Sequence, residues 1–344
     1  MADKLRRVLE SGKLTDEQCL SILRGLDLDE EEAEVVGGGT PKSRQPEISA
    51  AVVGLAEFKS TTMGPYLHEE EEEQEDVDYI RQRNDSQCFD FYPDVRIPRT
   101  TGISPFYFGE EEEPPTEMVL YGRLGVHWFN FENNRNLGFI RIPKLNTEHP
   151  FSVTYYITVD VKDVDDSADH SLTLQTMVRR PLIDKFYLYM ERCRIKPTTV
   201  ERDTTSFNFF HSFVPDRFYQ GPIPAFLSEP SEDAHDNDAM RFYEVPDMDI
   251  DKYDWLLLYA EFALLHVCEK AGSHSFLPEE IEMKNVLVET LETHTEPSLK
   301  LKSMNAIFHI SFRANSCDYI TVVRRTIDWV PGHMFLEVDC RKEI

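Results

Sequence analysis

Six side chains in the second half of this 344-residue sequence are of the types that bind zinc. One carboxylate, three imidazoles and two thiols are spread along the chain at Glu191, His211, His235, Cys268, His333 and Cys340. Zinc accepts all three ligand types, and a structural zinc site usually holds four ligands. At least two of the six candidates are therefore expected to support the ligands or to do something else.

The fold would have to bring these residues together, because no two cysteines form a CxxC pair. The segment 182–215 has two apolar runs around a polar stretch, which predicts a β-hairpin with Glu191 near His211. Each candidate also has an ordinary explanation. Glu191 could be an exposed strand residue, His211 a hydrogen-bonded core histidine and Cys268 a small buried hydrophobe.

Composition divides the chain into four expected parts. Residues 1–26 carry two short helical patterns and predict a small helical hairpin, and residues 27–116 form an acidic linker expected to be mostly disordered. A β-rich module is expected over 117–172 and an α/β domain over 173–344. The net charge of −27 argues against non-specific binding to a phosphate backbone, although much of it lies in acidic runs.

Location follows from the cysteines and the apolar runs. Six scattered cysteines and no signal-peptide core predict a reducing compartment, either the cytoplasm or the nucleus or both. No apolar run approaches the length of a membrane span, so no membrane association is expected.

The stretch 118–142 is rich in aromatic residues and ends in Gly138-Phe139-Ile140, which predicts a β-meander. Its Trp128-Phe129-Asn130 and Gly-Phe-Ile strings resemble the first two strands of a cold-shock domain. That resemblance implies stacking on single-stranded nucleic acid. The candidate RNA contacts are the aromatic residues Trp128, Phe139 and Tyr155 and the arginines Arg179, Arg180, Arg324 and Arg325. The alternative is a buried aromatic core with no nucleic-acid role.

The second half alternates between apolar helical and strand patterns. A helix is expected over 255–272, a mainly helical segment from Pro278, and a strand pair at 306–313 and 319–325. Strands, then helices, then further strands favour an α/β fold with an RNase H-like mixed sheet, preceded by the β-rich segment and the acidic amino-terminal region.

The order Glu-His-His-Cys-His-Cys, with Phe-His-Ser-Phe around His211, resembles the Maelstrom domain. That family has an RNase H-like fold and is associated with small-RNA silencing. The resemblance implies a divergent, nematode-type RNA-interference factor whose zinc-stabilised, non-catalytic domain binds RNA or silencing proteins. The amino-terminal region would recruit the protein partners.

Two alternatives stay open from the residues alone. One is a protein-interaction scaffold that uses neither RNA nor metal, and the other is a ribonuclease. No Asp-x-Glu pair occurs on the first strand of the folded half, where a two-metal nuclease would need it. This makes catalysis the less favoured alternative.

Overall fold

The computed structural model describes residues 79–90, 103–149, 152–165, 171–181, 183, 185–198, 217–228, 241–250, 252–272, 280–292 and 296–343. The helical hairpin expected over 1–26 and most of the acidic linker lie outside these ranges.

Ten strands, three labelled helices and two short 3-10 turns make up the described structure. In chain order they are β1 (Ile103–Tyr107), α1 (Thr116–Asn133), β2 (Leu137–Glu148), β3 (Ser152–Asp163), β4 (Ser171–Pro181), β5 (Phe186–Ile195), a 3-10 turn (Arg217–Tyr219), β6 (Phe242–Glu244), α2 (Asp247–Ile250), α3 (Asp254–Lys270), β7 (Ile281–Glu289), a 3-10 turn (Pro297–Lys302), β8 (Ala306–Ala314), β9 (Cys317–Thr326) and β10 (Met334–Lys342). A further helical segment covers 79–85.

All ten strands belong to one sheet, in the order β1-β2-β3-β4-β5-β10-β9-β8-β7-β6. Every neighbouring pair is antiparallel. The RNase H-like mixed sheet predicted from sequence is therefore wrong. A mixed sheet needs crossovers that return a strand parallel to its neighbour, whereas here each long helix precedes a four-strand meander. The boundary expected at 172/173 falls inside β4.

The stretch predicted as the first strand of a β-meander is helix α1, so the resemblance to a cold-shock domain is wrong. Its aromatic residues favour strands, but its buried positions recur with a helical period through Met118, Tyr121, Leu124 and Trp128. Pro115 precedes the helix, and Asn134 ends it in the left-handed conformation at φ 49°.

Of the other predicted elements, two are confirmed and one is wrong. The helix at 255–272 is α3 and the pair at 306–313 and 319–325 is the β8–β9 hairpin, so both predictions are confirmed. The helical segment expected from Pro278 is wrong, because it forms strand β7. Its Val286, Leu287 and Val288 form a continuous buried run, as in a strand covered on both faces.

Helices α1 and α3 pack side by side on one face of the sheet, here called the inner face. Close approach of α1 to the sheet depends on Gly125. A Cβ atom placed there would lie 2.8 Å from the side chain of Thr176 on β4. When Tyr121 of α1 is aligned with Tyr259 of α3, the small residue Ala263 of α3 aligns with Gly125 and is also buried.

The described chain from β1 to β10 contains the same arrangement twice. A short edge strand, a long helix and a four-strand meander make up β1-α1-β2-β3-β4-β5, and the same order recurs in β6-α3-β7-β8-β9-β10. The two meanders meet where β5 pairs with β10, around Leu188 opposite Leu336. The two halves are related by a pseudo-twofold axis through that pair.

Two segments pack on the opposite, outer face of the sheet. Residues 79–90 place Phe89 against Tyr156 of β3, with ring centroids 5.6 Å apart. Residues 217–228 place Tyr219 in a cluster with Ile307 and Val322 of β8 and β9. The outer face of the sheet is therefore covered at β3 and again at β8 and β9.

Candidate functional site: two buried arginine centres

The duplication is visible in one string of five residues. Thr176 to Arg180 on β4 read Thr-Met-Val-Arg-Arg, and Thr321 to Arg325 on β9 read Thr-Val-Val-Arg-Arg. The threonines face equivalent cysteines on the neighbouring strands, since Thr176 pairs with Cys193 and Thr321 with Cys340. Burial raises the pKa of Cys340 to about 12, so this thiol is protonated at neutral pH.

Alternation along a strand sends the two arginines of each string to opposite faces. On the outer face, Arg179 pairs with Glu191 and Arg324 pairs with Glu337. Arg324 also donates to the carbonyl oxygen of Gly221 at 2.8 Å, which anchors the 217–228 segment. In both halves the outer arginine therefore forms an ion pair with a carboxylate.

On the inner face, Arg180 also forms ion pairs with carboxylates. Its guanidinium binds Glu269 at the end of α3 through two nitrogens and lies 3.0 Å from Glu117 at the start of α1. The guanidinium lies 4.7 Å from the ring centroid of Phe186. Burial raises the pKa of Glu269, while hydrogen bonding and charge from Arg180 oppose the rise.

The equivalent arginine of the second half, Arg325, is fully buried at 0% exposure. Its guanidinium donates to the hydroxyl of Tyr259 at 3.2 Å and to the carbonyl oxygen of Ser303 at 2.6 Å. The rings of Phe131, Phe308 and Trp255 have centroids 4.4, 5.2 and 5.5 Å from it. Within the described ranges, no carboxylate forms an ion pair with Arg325.

Superposing the helix sequences explains the difference between the two centres. When Tyr121 of α1 is aligned with Tyr259 of α3, Glu117 aligns with Trp255, and Phe131 aligns with Glu269. The two carboxylates that hold Arg180 are thus replaced around Arg325 by two aromatic rings. The second half therefore has a buried arginine like the first half, but it has aromatic rings where the first half has acidic side chains.

His127 of α1 lies beside the Arg325 centre, where α3 carries Leu265 at the aligned position. Its ring stacks on Trp255 with centroids 5.1 Å apart and an interplanar angle of 16°. Burial, helped by the charge of Arg325, lowers the pKa of His127 to about 3, so the imidazole is neutral at neutral pH.

Three buried nitrogen atoms at this centre have no hydrogen-bond partner within the described part of the chain. They are Nε of Arg325, Nε2 of His127 and Nε1 of Trp128. A buried polar atom without a partner costs about 1–3 kcal/mol, so such atoms ordinarily find one. We call Arg325, His127 and the rings of Phe131, Trp255 and Phe308 the Arg325 centre.

Three comparisons with known proteins bear on this fold. The family model described as Protein MS5 matches residues 224–336. The UPF0725 protein At3g44770 of Arabidopsis thaliana is 41% identical, with 99% of each chain covered. The UPF0725 protein At4g29550 of the same plant is 33% identical, with 76% of this chain and 74% of that relative covered.

The chain belongs to the UPF0725 family.

A solved structure supports the fold of this UPF0725 protein. The crystal structure of MS5 from Brassica napus is 21% identical with a TM-score of 0.50, covering 67% of this chain and 100% of that chain. At this identity the likeness concerns the fold alone.

Membership of the UPF0725 family overturns the resemblance to a Maelstrom domain and to a nematode RNA-interference factor. The expected small-RNA silencing function depended on that resemblance and is wrong with it. The order of six zinc-type residues misled because it combined side chains that are common in any chain of this length. Only Phe-His-Ser-Phe was distinctive, and it lies outside the described residues.

The four described zinc candidates have other surroundings. Glu191 pairs with Arg179, His333 lies 3.1 Å from Asp328, Cys268 is half-buried on α3, and Cys340 is buried on β10. His211 and His235 lie outside the described ranges. Among described residues, no group of three or more His, Cys, Asp or Glu side chains could hold a metal ion. A zinc site formed by four of the six candidates stays a prediction.

The seven candidate RNA contacts lie on two faces of the sheet. Trp128, Tyr155 and Arg325 are buried on the inner face, where Arg180 is also ion-paired and Phe139 packs against the core. Arg179 and Arg324 are ion-paired on the outer face. The buried rings present no face for a base to stack on.

In the described ranges no helix is long and apolar enough to cross a membrane.

Proposed function

We propose that this UPF0725 protein binds a ligand that carries a carboxylate. The oxygens of that carboxylate accept hydrogen bonds from the guanidinium of Arg325. The observation that carries the proposal is the replacement of Glu117 and Glu269 by Trp255 and Phe131 around the equivalent arginine.

A buried charge without a partner destabilises a protein strongly. Breaking a buried ion pair by removing one partner typically costs about 3–5 kcal/mol. Aromatic rings and two neutral acceptors offset part of this cost at Arg325, since a cation over a desolvated ring gains about 2 kcal/mol. A carboxylate from a ligand would supply the charge that the described protein residues do not.

Carboxylate chemistry is favoured by the matching centre in the same molecule. Arg180 binds two carboxylates, one of them through two nitrogens, and it occupies the equivalent position in a repeated fold. A guanidinium matches the two oxygens of a carboxylate in one plane. At Arg325 the Nε atom has no described partner and is available to form such a pair.

A ligand would reach the Arg325 centre past its half-buried aromatic rings. Phe131 and Trp255 are only half-buried, as is the nearby Met304, whereas Arg325 and Phe308 are fully buried. The half-buried rings lie at the end of α1 and the start of α3, which meet at the same end of the sheet. A ligand would reach the guanidinium from that end.

Thermal unfolding with and without sodium acetate tests the proposal. A ligand that binds only the folded state raises the melting temperature, by an amount that grows with the ratio of its concentration to Kd. The comparison uses the wild type, Arg325→Met, and the control Arg313→Met, which changes an arginine that is half-exposed and paired with Asp318. Sodium chloride keeps the ionic strength constant.

We expect acetate to raise the melting temperature of the wild type and of the Arg313→Met variant, and to raise that of Arg325→Met much less. An equal rise in all three proteins would be a general salt effect and would overturn the proposal.

A further inference from the structure

The guanidinium of Arg325 lies over the faces of three aromatic rings. The ring centroids of Phe131, Phe308 and Trp255 are within 5.5 Å of its central carbon. Such contacts use the electron-rich face of each ring. A ligand that reaches this guanidinium therefore meets aromatic rings beside it.

The rim of the guanidinium is only partly used. One terminal nitrogen donates to Tyr259 and the other to Ser303. The Nε atom has no hydrogen-bond partner among described residues, and each terminal nitrogen carries a second proton. A carboxylate that accepts from Nε can place its second oxygen near a terminal nitrogen, because its two oxygens match two N–H groups of one guanidinium.

Two stacked pairs of aromatic rings lie next to this guanidinium. His127 stacks on Trp255 at an interplanar angle of 16°, and Phe131 stacks on Trp128 at 18° with centroids 5.5 Å apart. The Nε2 atom of His127 has no described partner and can meet a polar atom of a ligand. Two stacked pairs of rings thus lie beside a guanidinium whose Nε atom has no hydrogen-bond partner among described residues.

We infer that the ligand of the Arg325 centre is a flat aromatic monocarboxylate, a benzoate-type acid. This rests on the function proposed above. A single negative charge neutralises the single charge of Arg325, and an aromatic ring on the acid can stack on or pack edge-to-face against the rings around the guanidinium. An amino acid would bring an ammonium group towards a buried cation, which costs free energy.

Three probes of similar size separate the features that the inference needs. Benzoate has the flat ring and the charge, cyclohexanecarboxylate has the charge without the flat ring, and benzamide has the flat ring without the charge. Each is titrated into the full-length protein by isothermal calorimetry. The variants are Phe131→Leu, which removes one ring of the centre, and Phe139→Leu, which changes a half-buried ring on β2 outside it.

We expect benzoate to bind at least about tenfold more tightly than either other probe, equivalent to about 1.4 kcal/mol. Phe131→Leu should weaken benzoate severalfold and leave cyclohexanecarboxylate nearly unchanged, while Phe139→Leu should leave both unchanged. Equal binding of benzoate and cyclohexanecarboxylate would overturn the flat-acid inference and leave the carboxylate site standing. Binding of benzamide as tight as that of benzoate, or no heat from any probe, would overturn both.

Discussion

The two inner arginines are the same residue at the same place in a repeated fold, yet their neighbours differ in charge. Arg180 holds two acidic side chains from the ends of α1 and α3. Arg325 has rings at the aligned positions and neutral oxygen acceptors on its rim. The same substitution at the two positions should therefore change stability by different amounts.

Arg180→Met leaves Glu117 and Glu269 without their shared cation, and both are mostly buried. We expect a loss of about 3 kcal/mol in the free energy of unfolding. Arg325→Met removes two hydrogen bonds and a buried charge that has no ionic partner among the described residues, effects of opposite sign, and should change stability by less than about 1 kcal/mol. Urea denaturation of both variants measures this. An equal loss at the two positions would contradict the contrast between the centres.

Acid sensitivity should come partly from His127. Its pKa falls to about 3 in the folded protein through burial, whereas the unfolded chain titrates near 6.5. The unfolded state therefore binds the proton first, and stability falls as pH drops from about 6.5 towards 3. His266 acts in the same direction, because burial lowers its pKa to about 4. The loss approaches about 1.4 kcal/mol per pH unit for each histidine.

His127→Leu installs the residue that α3 carries at the aligned position. The variant should lose less stability than the wild type between pH 6.5 and pH 4.5, by at most about 2.7 kcal/mol. Denaturation curves at the two pH values measure the difference. Parallel curves for the two proteins would show that His127 is not a source of the acid sensitivity.

At the scale of elements, α1 and α3 meet across the pseudo-twofold axis at one charged pair. Arg123 and Glu261 occupy aligned positions in the two helices, and their Nη1 and Oε2 atoms are 2.7 Å apart. In a symmetric pair these positions would carry like charges. Opposite charges make the two helices complementary to each other.

A double-mutant cycle tests this pair. Arg123→Glu places two carboxylates together and should cost up to about 1 kcal/mol, a modest figure because the arginine is partly exposed. Arg123→Glu combined with Glu261→Arg should recover most of that loss. If the double variant is no more stable than the sum of the single changes predicts, the pair does not couple the helices.

Helix α1 can approach the sheet closely only because of Gly125. Gly125→Ala puts a methyl group 2.8 Å from Thr176, so helix or strand must shift. We expect a loss of about 1–3 kcal/mol. Gly109→Ala is the matched control, since its Cβ would first meet an atom 3.7 Å away. Equal stability of the two alanine variants would show that the helix–sheet spacing is not tight.

For single elements, the sequence predicted structure wherever period and residue type agreed. The apolar run of α3 and the alternating β8–β9 pair are examples. It failed over 118–133, where aromatic residues of high strand propensity follow a helical period, and at β7, where a short buried run has no period of its own. Strand order could not be predicted, because pairing partners such as β5 and β10 are far apart in sequence.

At the scale of the whole molecule, the fold is duplicated. Both arginine pairs are predicted from sequence as RNA contacts, whereas the string Thr-x-Val-Arg-Arg that they share indicates a repeat. Alignment of Tyr121 with Tyr259 then places Trp255 and Phe131 opposite the acidic residues Glu117 and Glu269. Burial of the arginines could not have been predicted, because it depends on two helices packing over one sheet face.

If Arg325 takes its counter-charge from a ligand, the Arg325 Nε–H resonance reports the binding directly. Its signal in protein labelled with ¹⁵N-arginine is assigned by its loss in Arg325→Lys. On titration with benzoate we predict a saturable downfield shift of this signal, with the Arg180 Nε–H signal unchanged because its carboxylates are already in place. An Arg325 signal that stays fixed while benzoate reaches tens of millimolar would show that Arg325 does not bind a carboxylate ligand.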